Sequence, residues 1–270
     1  MDVSGKTIVI TGGGSGIGAA IARKLHKAGG NVCVADLNGA AADAVAKEVS
    51  GIGVVCDVRD EAQIQAAIAK TEEAFGPVDI FVSNAGLGRG QPGHAASAEN
   101  DVWQLNWDVH VMSHVYAARA LLPQMIERGS GYFVNVASAA GLLNQIGDAA
   151  YSATKHAAVS FAESLLISHA DDGIGVSVIC PQYVATPLIG LSDADAAQAE
   201  NLLTADDVAG AVLDGIENNT FRVLPHPQVA GYAVARTADP DRWLQGMRML
   251  KAKAERELGP DKLFEFYKLV

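Results

Sequence analysis

Thr7-Ile8-Val9-Ile10-Thr11-Gly12-Gly13-Gly14-Ser15-Gly16-Ile17-Gly18 sets a β-branched run directly against a glycine-rich break. Ile17, Ala20, Ile21, Lys24, Leu25 and Ala28 then recur at helical spacing, up to a stop at Gly29-Gly30. Strand, glycine loop and helix make the first half of a βαβ unit. Backbone amides at the start of such a helix can hold a pyrophosphate, and the missing side chains let it come close. The general dinucleotide spacing G-x-G-x-x-G does not fit, because Ile17 takes the third glycine position counted from Gly12.

The alternation continues along the chain. Asn31–Ala35 reads as a second strand ending at Asp36, Ile52–Cys56 as a third, and Asp79–Ser83 as a fourth, with helices over Ala40–Val49 and Glu61–Phe75 between them. A Gly/Pro/Ser-rich loop over Leu87–Ala98 precedes one long helix from about Asp101 to Arg128. Gly131–Val136, Gly175–Cys180 and Phe221–Leu224 complete the strands, with a helix over Ala149–His169. A polar loop after Pro181 leads to a helix from Thr204 to about Glu217. From Pro225 the chain reads as helical, with Trp243, Met247 and Leu250 as its inner stripe. The pattern predicts an α/β fold, a single doubly wound Rossmann-type domain over 1–270. Its parallel seven-stranded sheet carries helices on both faces, with a lid at about 182–203 and a helical C-terminal extension at about 225–270.

Bulk properties narrow the class. Apolar residues are 49% and charged residues 19% of the 270, enough to bury a large core and too apolar for a disordered chain. Thirty-one acidic against 20 basic residues give a net charge of −11, which argues against nucleic-acid or anionic-membrane partners. No apolar run approaches a membrane span, and Met1 to Lys6 enter the first strand without a basic leader, so a cytoplasmic location is expected. Cys33, Cys56 and Cys180 lie far apart and read as small buried residues of a reducing compartment. Apart from His110, the histidines His26, His94, His114, His156, His169 and His226 show no mutual ligand spacing, so no metal is expected.

Chemistry is concentrated in Tyr151-Ser152-Ala153-Thr154-Lys155. Residues four apart share one helix face, so an ammonium at Lys155 is expected to favour the Tyr151 phenolate and lower a pKa that is ordinarily about 10. At the other end, Asp36 closes the second strand, where a carboxylate accepts hydrogen bonds from ribose hydroxyls and repels a 2′-phosphate. Leu37 follows it, and no arginine, so NAD is expected over NADP.

With these features in order, the chain resembles the short-chain dehydrogenase/reductase family, in its compact branch, over roughly residues 5–225. The resemblance rests on Thr11 to Gly18, Asp57-Val58, Ser83-Asn84-Ala85-Gly86, Ser138 upstream of Tyr151-x-x-x-Lys155, and Pro181 to Pro187. It implies an NAD-dependent alcohol dehydrogenase or ketone reductase acting on a small, hydrophobic molecule, and a homo-oligomer, dimer or tetramer. By the resemblance, Gly12, Ser15, Gly16, Ile17 and Gly18 form the cofactor loop, with Asp36 and Leu37 at the ribose and Asp57 and Val58 at the adenine. Asn84, Ala85 and Gly86 follow strand four, Val184 and Thr186 hold the carboxamide, and Tyr151 and Lys155 also touch the cofactor. It makes Tyr151 the acid/base, Ser138 the donor to the substrate oxygen, and Lys155 the residue that tunes the tyrosine.

Two positions depart from the family pattern. His110 stands where the family has an asparagine supporting a proton relay, and is either a structural histidine or a titrating relay member. Gln182 replaces a glycine and, with Tyr183, is expected to narrow the pocket or point into it. Leu188-Ile189-Gly190-Leu191 is a candidate cover for an apolar substrate, whereas Phe264, Phe266 and Tyr267 read as packing or a subunit interface. The rival readings are a non-catalytic NAD-binding regulator on the same fold, which His110 alone favours, and an epimerase or dehydratase of the longer branch.

Overall fold

β1 (Thr7–Thr11) is buried along its whole length, because it lies in the middle of a sheet covered on both faces. The computed structural model describes residues 1–90, 93–197, 199, 201–259, 266, 268 and 269. After β1 come α1 (Gly16–Lys27), β2 (Asn31–Asp36), α2 (Gly39–Glu48), β3 (Ile52–Val55), α3 (Glu61–Phe75) and β4 (Ile80–Ser83). Next are α4 (Asn100–Trp107), α5 (Ser113–Glu127), β5 (Gly131–Val136), α6 (Ala149–His169) and β6 (Ile174–Ile179). The chain continues through β7 (Tyr183–Ala185), α7 (Asp193–Ala196), β8 (Leu202–Thr204), α8 (Ala205–Glu217), β9 (Arg222–Val223), α9 (Gln228–Ala238) and α10 (Pro240–Glu257).

Seven strands form one parallel sheet in the order β3-β2-β1-β4-β5-β6-β9. The order reverses between β1 and β4, which makes that crevice the ligand-binding switch point of a Rossmann-like sheet. Alternate residues of each strand feed opposite layers. Ile8 and Ile10 join Ile21, Leu25, Val134 and Val212 on one face. Val9 joins Phe81, Leu121, Phe133 and Val178 on the other.

Two features were not foreseen. The helix expected from Asp101 to Arg128 is broken by a π-helical turn over Asp108–Met112, which separates α4 from α5. Helical periodicity is blind to one inserted residue, and such turns are frequent at functional sites. The loop after Pro181 contains a small parallel pair, β7 with β8, too short to leave an alternation in the sequence. Of the expected lid, Asp193 and Asp195 fall in α7, whereas Glu200 lies outside the described residues.

Candidate active site

Asn84 ties the crevice together. Its amide donates to the Thr11 carbonyl (3.0 Å) and the Gly12 carbonyl (3.1 Å), and the Thr11 hydroxyl accepts from the backbone of Asn84 (3.0 Å) and Ala85 (3.3 Å). Gly12 sits at φ +60°, and a Cβ there would lie 2.8 Å from the Ala85 Cα, so only glycine lets β1 and β4 end this close together. Ser15 N-caps α1 through its backbone, Gly16 and Gly18 open the helix, and Ile17 turns back onto the core.

The loop is a cradle that fits a pyrophosphate, with backbone at a helix N-terminus and no side chain over it. The Asp36 carboxylate accepts from Gly14 N–H (2.9 Å) and Asn38 N–H (2.8 Å), which fixes its direction while leaving lone pairs for a diol. Leu37 beside it is 67% exposed and offers no cation to a phosphate. Next along the crevice stand Asp57 and Val58. Val58 is buried in the core, and Arg59 chelates the Asp57 carboxylate, which holds that carboxyl below its usual range.

Tyr151 and Lys155 lie in the first two turns of α6, whose N-cap is Asp148. One Asp148 oxygen accepts from Tyr151 N–H (3.0 Å) and the other from Gly90 N–H (2.9 Å), so a single buried carboxylate fixes both the helix start and the loop beyond β4. Ser138 begins a 3₁₀ turn, Ala139–Gly141, after β5. That turn approaches α6 so closely that a Cβ on Gly141 would lie 2.5 Å from the Lys155 carbonyl oxygen. The closeness sets Ser138 beside the Tyr151 phenol, while its hydroxyl accepts from Ala140 N–H (3.1 Å) and donates to the Pro181 carbonyl (3.5 Å).

The electrostatics of the pair differ from the reading of its spacing. Burial pushes the Tyr151 phenol above its usual value, and the neighbouring Ser138 only partly offsets that. Lys155 Nζ is 5.6 Å from the centre of the Tyr151 ring and donates to the Val136 carbonyl (3.0 Å), not to the phenol. Burial brings Lys155 itself down to about 8. Desolvation therefore dominates the Tyr151 phenol and holds it neutral.

His110 lies in the π-helical turn, fully buried. Its Nε2 accepts from Leu87 N–H (3.1 Å), which leaves the ring proton on Nδ1, facing the Thr154 hydroxyl at 3.0 Å. Burial, then the charges of Lys155 and His114, hold its pKa well below the usual histidine value. Both ring nitrogens are committed, and the ring is neutral.

Beyond Ser138 opens a cavity of about 750 Å³. Asn144, Gln145, Gln182 and Tyr183 line its inner part, with the Tyr183 hydroxyl against Gln145 (3.4 Å), as the two departures in that loop had suggested. His226 holds this loop from behind, accepting from Gln182 N–H (3.1 Å) and donating to the Tyr183 carbonyl (3.0 Å). Val184 and Thr186 are buried, and Thr186 lies 3.4 Å from where a Gly16 Cβ would stand, so the two ends of the crevice meet there. Leu188 is 56% exposed and does not line the cavity; nor do Ile189, Leu191 or the described residues of 87–98. The C-terminal extension, expected to line the pocket, supplies the outer wall through Trp243, Met247 and Leu250 of α10 and through Phe266, which is buried as packing. Phe264 and Tyr267 lie outside the described residues.

Residues 6–197 match the family model described as short chain dehydrogenase. The chain belongs to the short-chain dehydrogenase/reductase family. It is similar to oxidoreductase UcpA of Salmonella typhimurium, 36% identical over 69% of this chain and 72% of that protein. It is also similar to 1-deoxy-11-beta-hydroxypentalenate dehydrogenase of Streptomyces exfoliatus, 33% identical over 82% and 83%. Among solved structures it resembles a short chain dehydrogenase/reductase from Burkholderia phymatum in complex with NAD. The TM-score is 0.80 and the identity 30%, over 89% of this chain and 96% of that one. As a family member the chain is an oxidoreductase.

Proposed function

We propose that this protein is an NAD-dependent alcohol dehydrogenase or ketone reductase, with Tyr151 as its acid/base. The observation that carries the reading is that Ser138 and Lys155 flank the Tyr151 phenol, with Lys155 Nζ 5.6 Å from its ring centre and Ser138 on the wall of the cavity. NAD, when bound, accepts or supplies the hydride; the NAD complex of the Burkholderia structure and the orientation of Asp36 support that cofactor over NADP.

In the reductive direction Tyr151, a neutral phenol in the free site, gives its proton to the carbonyl oxygen as the carbonyl carbon gains hydride. Ser138 donates a hydrogen bond to the same oxygen and stabilises its developing negative charge. Oxidation reverses the balance: the alcohol loses a hydride from carbon and its hydroxyl proton to the tyrosine oxygen. Lys155 would hold the cofactor's ribose, and it carries the buried positive charge beside the phenolate. His110 positions the site: it links the Leu87 backbone to the catalytic helix through Thr154 and stays neutral throughout.

We take the enzyme to be a cytoplasmic homo-oligomer. Three free buried cysteines support a reducing compartment, and the homo-oligomer follows from the resemblance to the family. Among the described residues no helix is long and apolar enough to cross a membrane. The test is turnover: purified protein with NADH and a panel of apolar ketones should lose the reduced-nicotinamide absorbance. No turnover with any ketone, or with any alcohol and NAD, contradicts the reading.

A further inference from the structure

α9 and α10 form a hairpin that covers the cavity yet has almost no core of its own. Val229 is the buried residue of α9 and Ala254 that of α10. Against the body, Val229 packs with Ala139 and Leu143, and Ala233 and Trp243 flank that small cluster. The polar anchor is Arg236. Its guanidinium donates to the Leu142 carbonyl and to His156 Nε2 (2.8 Å). His156 Nδ1 in turn faces the Ser152 carbonyl at 2.9 Å, so that nitrogen carries the ring proton and Nε2 is left as the acceptor. Arg236 has no carboxylate partner among the described residues. Its two acceptors lie in the segment following Ser138 and on the residue after Lys155.

We infer that Arg236 is a positioning residue that latches the α9–α10 hairpin onto the catalytic helix, closing a wall shaped for a bulky, largely apolar secondary alcohol or ketone. The inference rests on the proposed dehydrogenase activity and specifies its substrate class. A volume of about 750 Å³ is far larger than a short alcohol needs, and lies in the range that encloses drug-sized ligands. Trp243, Gly246, Met247 and Leu250 fall at i, i+3, i+4 and i+7, so one face of α10 turns toward it. Gly246 sets the depth at the centre of that face, since a Cβ there would meet no atom within 4 Å. With the latch open, the wall loses its register against Leu143 while Tyr151, Ser138 and the glycine loop keep their own supports.

The test uses a homologous series of secondary alcohols, 2-butanol to 2-decanol, with NAD. Two variants are compared with the wild type: Arg236→Leu, which removes the donors, and Gly246→Leu, which fills the cavity and strengthens the helix. In the wild type kcat/KM should rise along the series, by up to about fourfold per added methylene. Both variants should flatten that rise through KM, leaving kcat/KM for 2-butanol and the affinity for NADH within about twofold, changes that general misfolding would not spare. Unchanged slopes in both variants, or a flat wild-type series, overturn the inference while the dehydrogenase reading stands. If the wild type oxidises no member, the inference falls, and the dehydrogenase reading falls with it only if apolar ketones with NADH also give no turnover.

Discussion

The His110 ring stands edge-on to the Tyr151 ring, their centres 5.3 Å apart and their planes at 88°. The histidine thus packs against the body of the tyrosine, while its nitrogens face Leu87 and Thr154. It braces the acid/base from the side, where a titrating relay would have to reach Lys155.

From this follows a pair of outcomes at position 110. His110→Asn should leave the inflections of the pH–rate profile in place, because a ring already neutral contributes none. His110→Leu leaves the Leu87 N–H without an acceptor and should cost about 1–3 kcal/mol of stability in denaturant unfolding. A shifted profile in the asparagine variant would return His110 to the proton route.

Lys155 gives the protein a stability signature with a definite sign. Burial lowers its pKa to about 8 from the ordinary 10.5, so between these values the unfolded chain binds more protons than the folded one. Stability therefore gains from rising pH across that window, and the penalty is largest below it. Relative to Lys155→Met, the wild type should be held back by on the order of 3 kcal/mol near neutrality, a deficit that closes toward pH 10.5. Urea unfolding of both proteins across this range reads the difference; a constant gap would mean that the lysine is not desolvated.

Asp36 sets cofactor choice by repulsion. NADH should bind at least tenfold more tightly than NADPH, a difference of about 1.4 kcal/mol or more, in a fluorescence titration. Asp36→Ser should narrow that ratio, mainly by improving NADPH. Equal affinities in the wild type would contradict the argument.

Much of this was legible from residues that act through local rules. The strand–glycine–helix opening gave the βαβ unit, and the α6 limits Ala149–His169 agree with the reading because Asp148 caps the helix start. Other features depend on contacts that no spacing records. The π-helical turn around His110 replaced a continuous helix. His114, read as bland, is paired with Asn135 at 2.9 Å, buried and within electrostatic reach of Lys155. The tyrosine–lysine spacing placed both groups on one face, but the depth of burial, which reverses the expected pKa direction, is a tertiary property. The C-terminal extension was expected to line the pocket together with 87–98, 142–148 and 182–203, but its packing through Val229 and Arg236, which leaves the 188–191 run off the wall, was not foreseen. Nothing within the extension marks that packing.

The central claim is that Tyr151 moves the proton. Tyr151→Phe keeps the ring against His110 and removes only the hydroxyl, so the fold and the NADH affinity should be preserved. Turnover of an apolar ketone by this variant should fall about 10²- to 10⁴-fold. Wild-type rates in Tyr151→Phe would contradict the account.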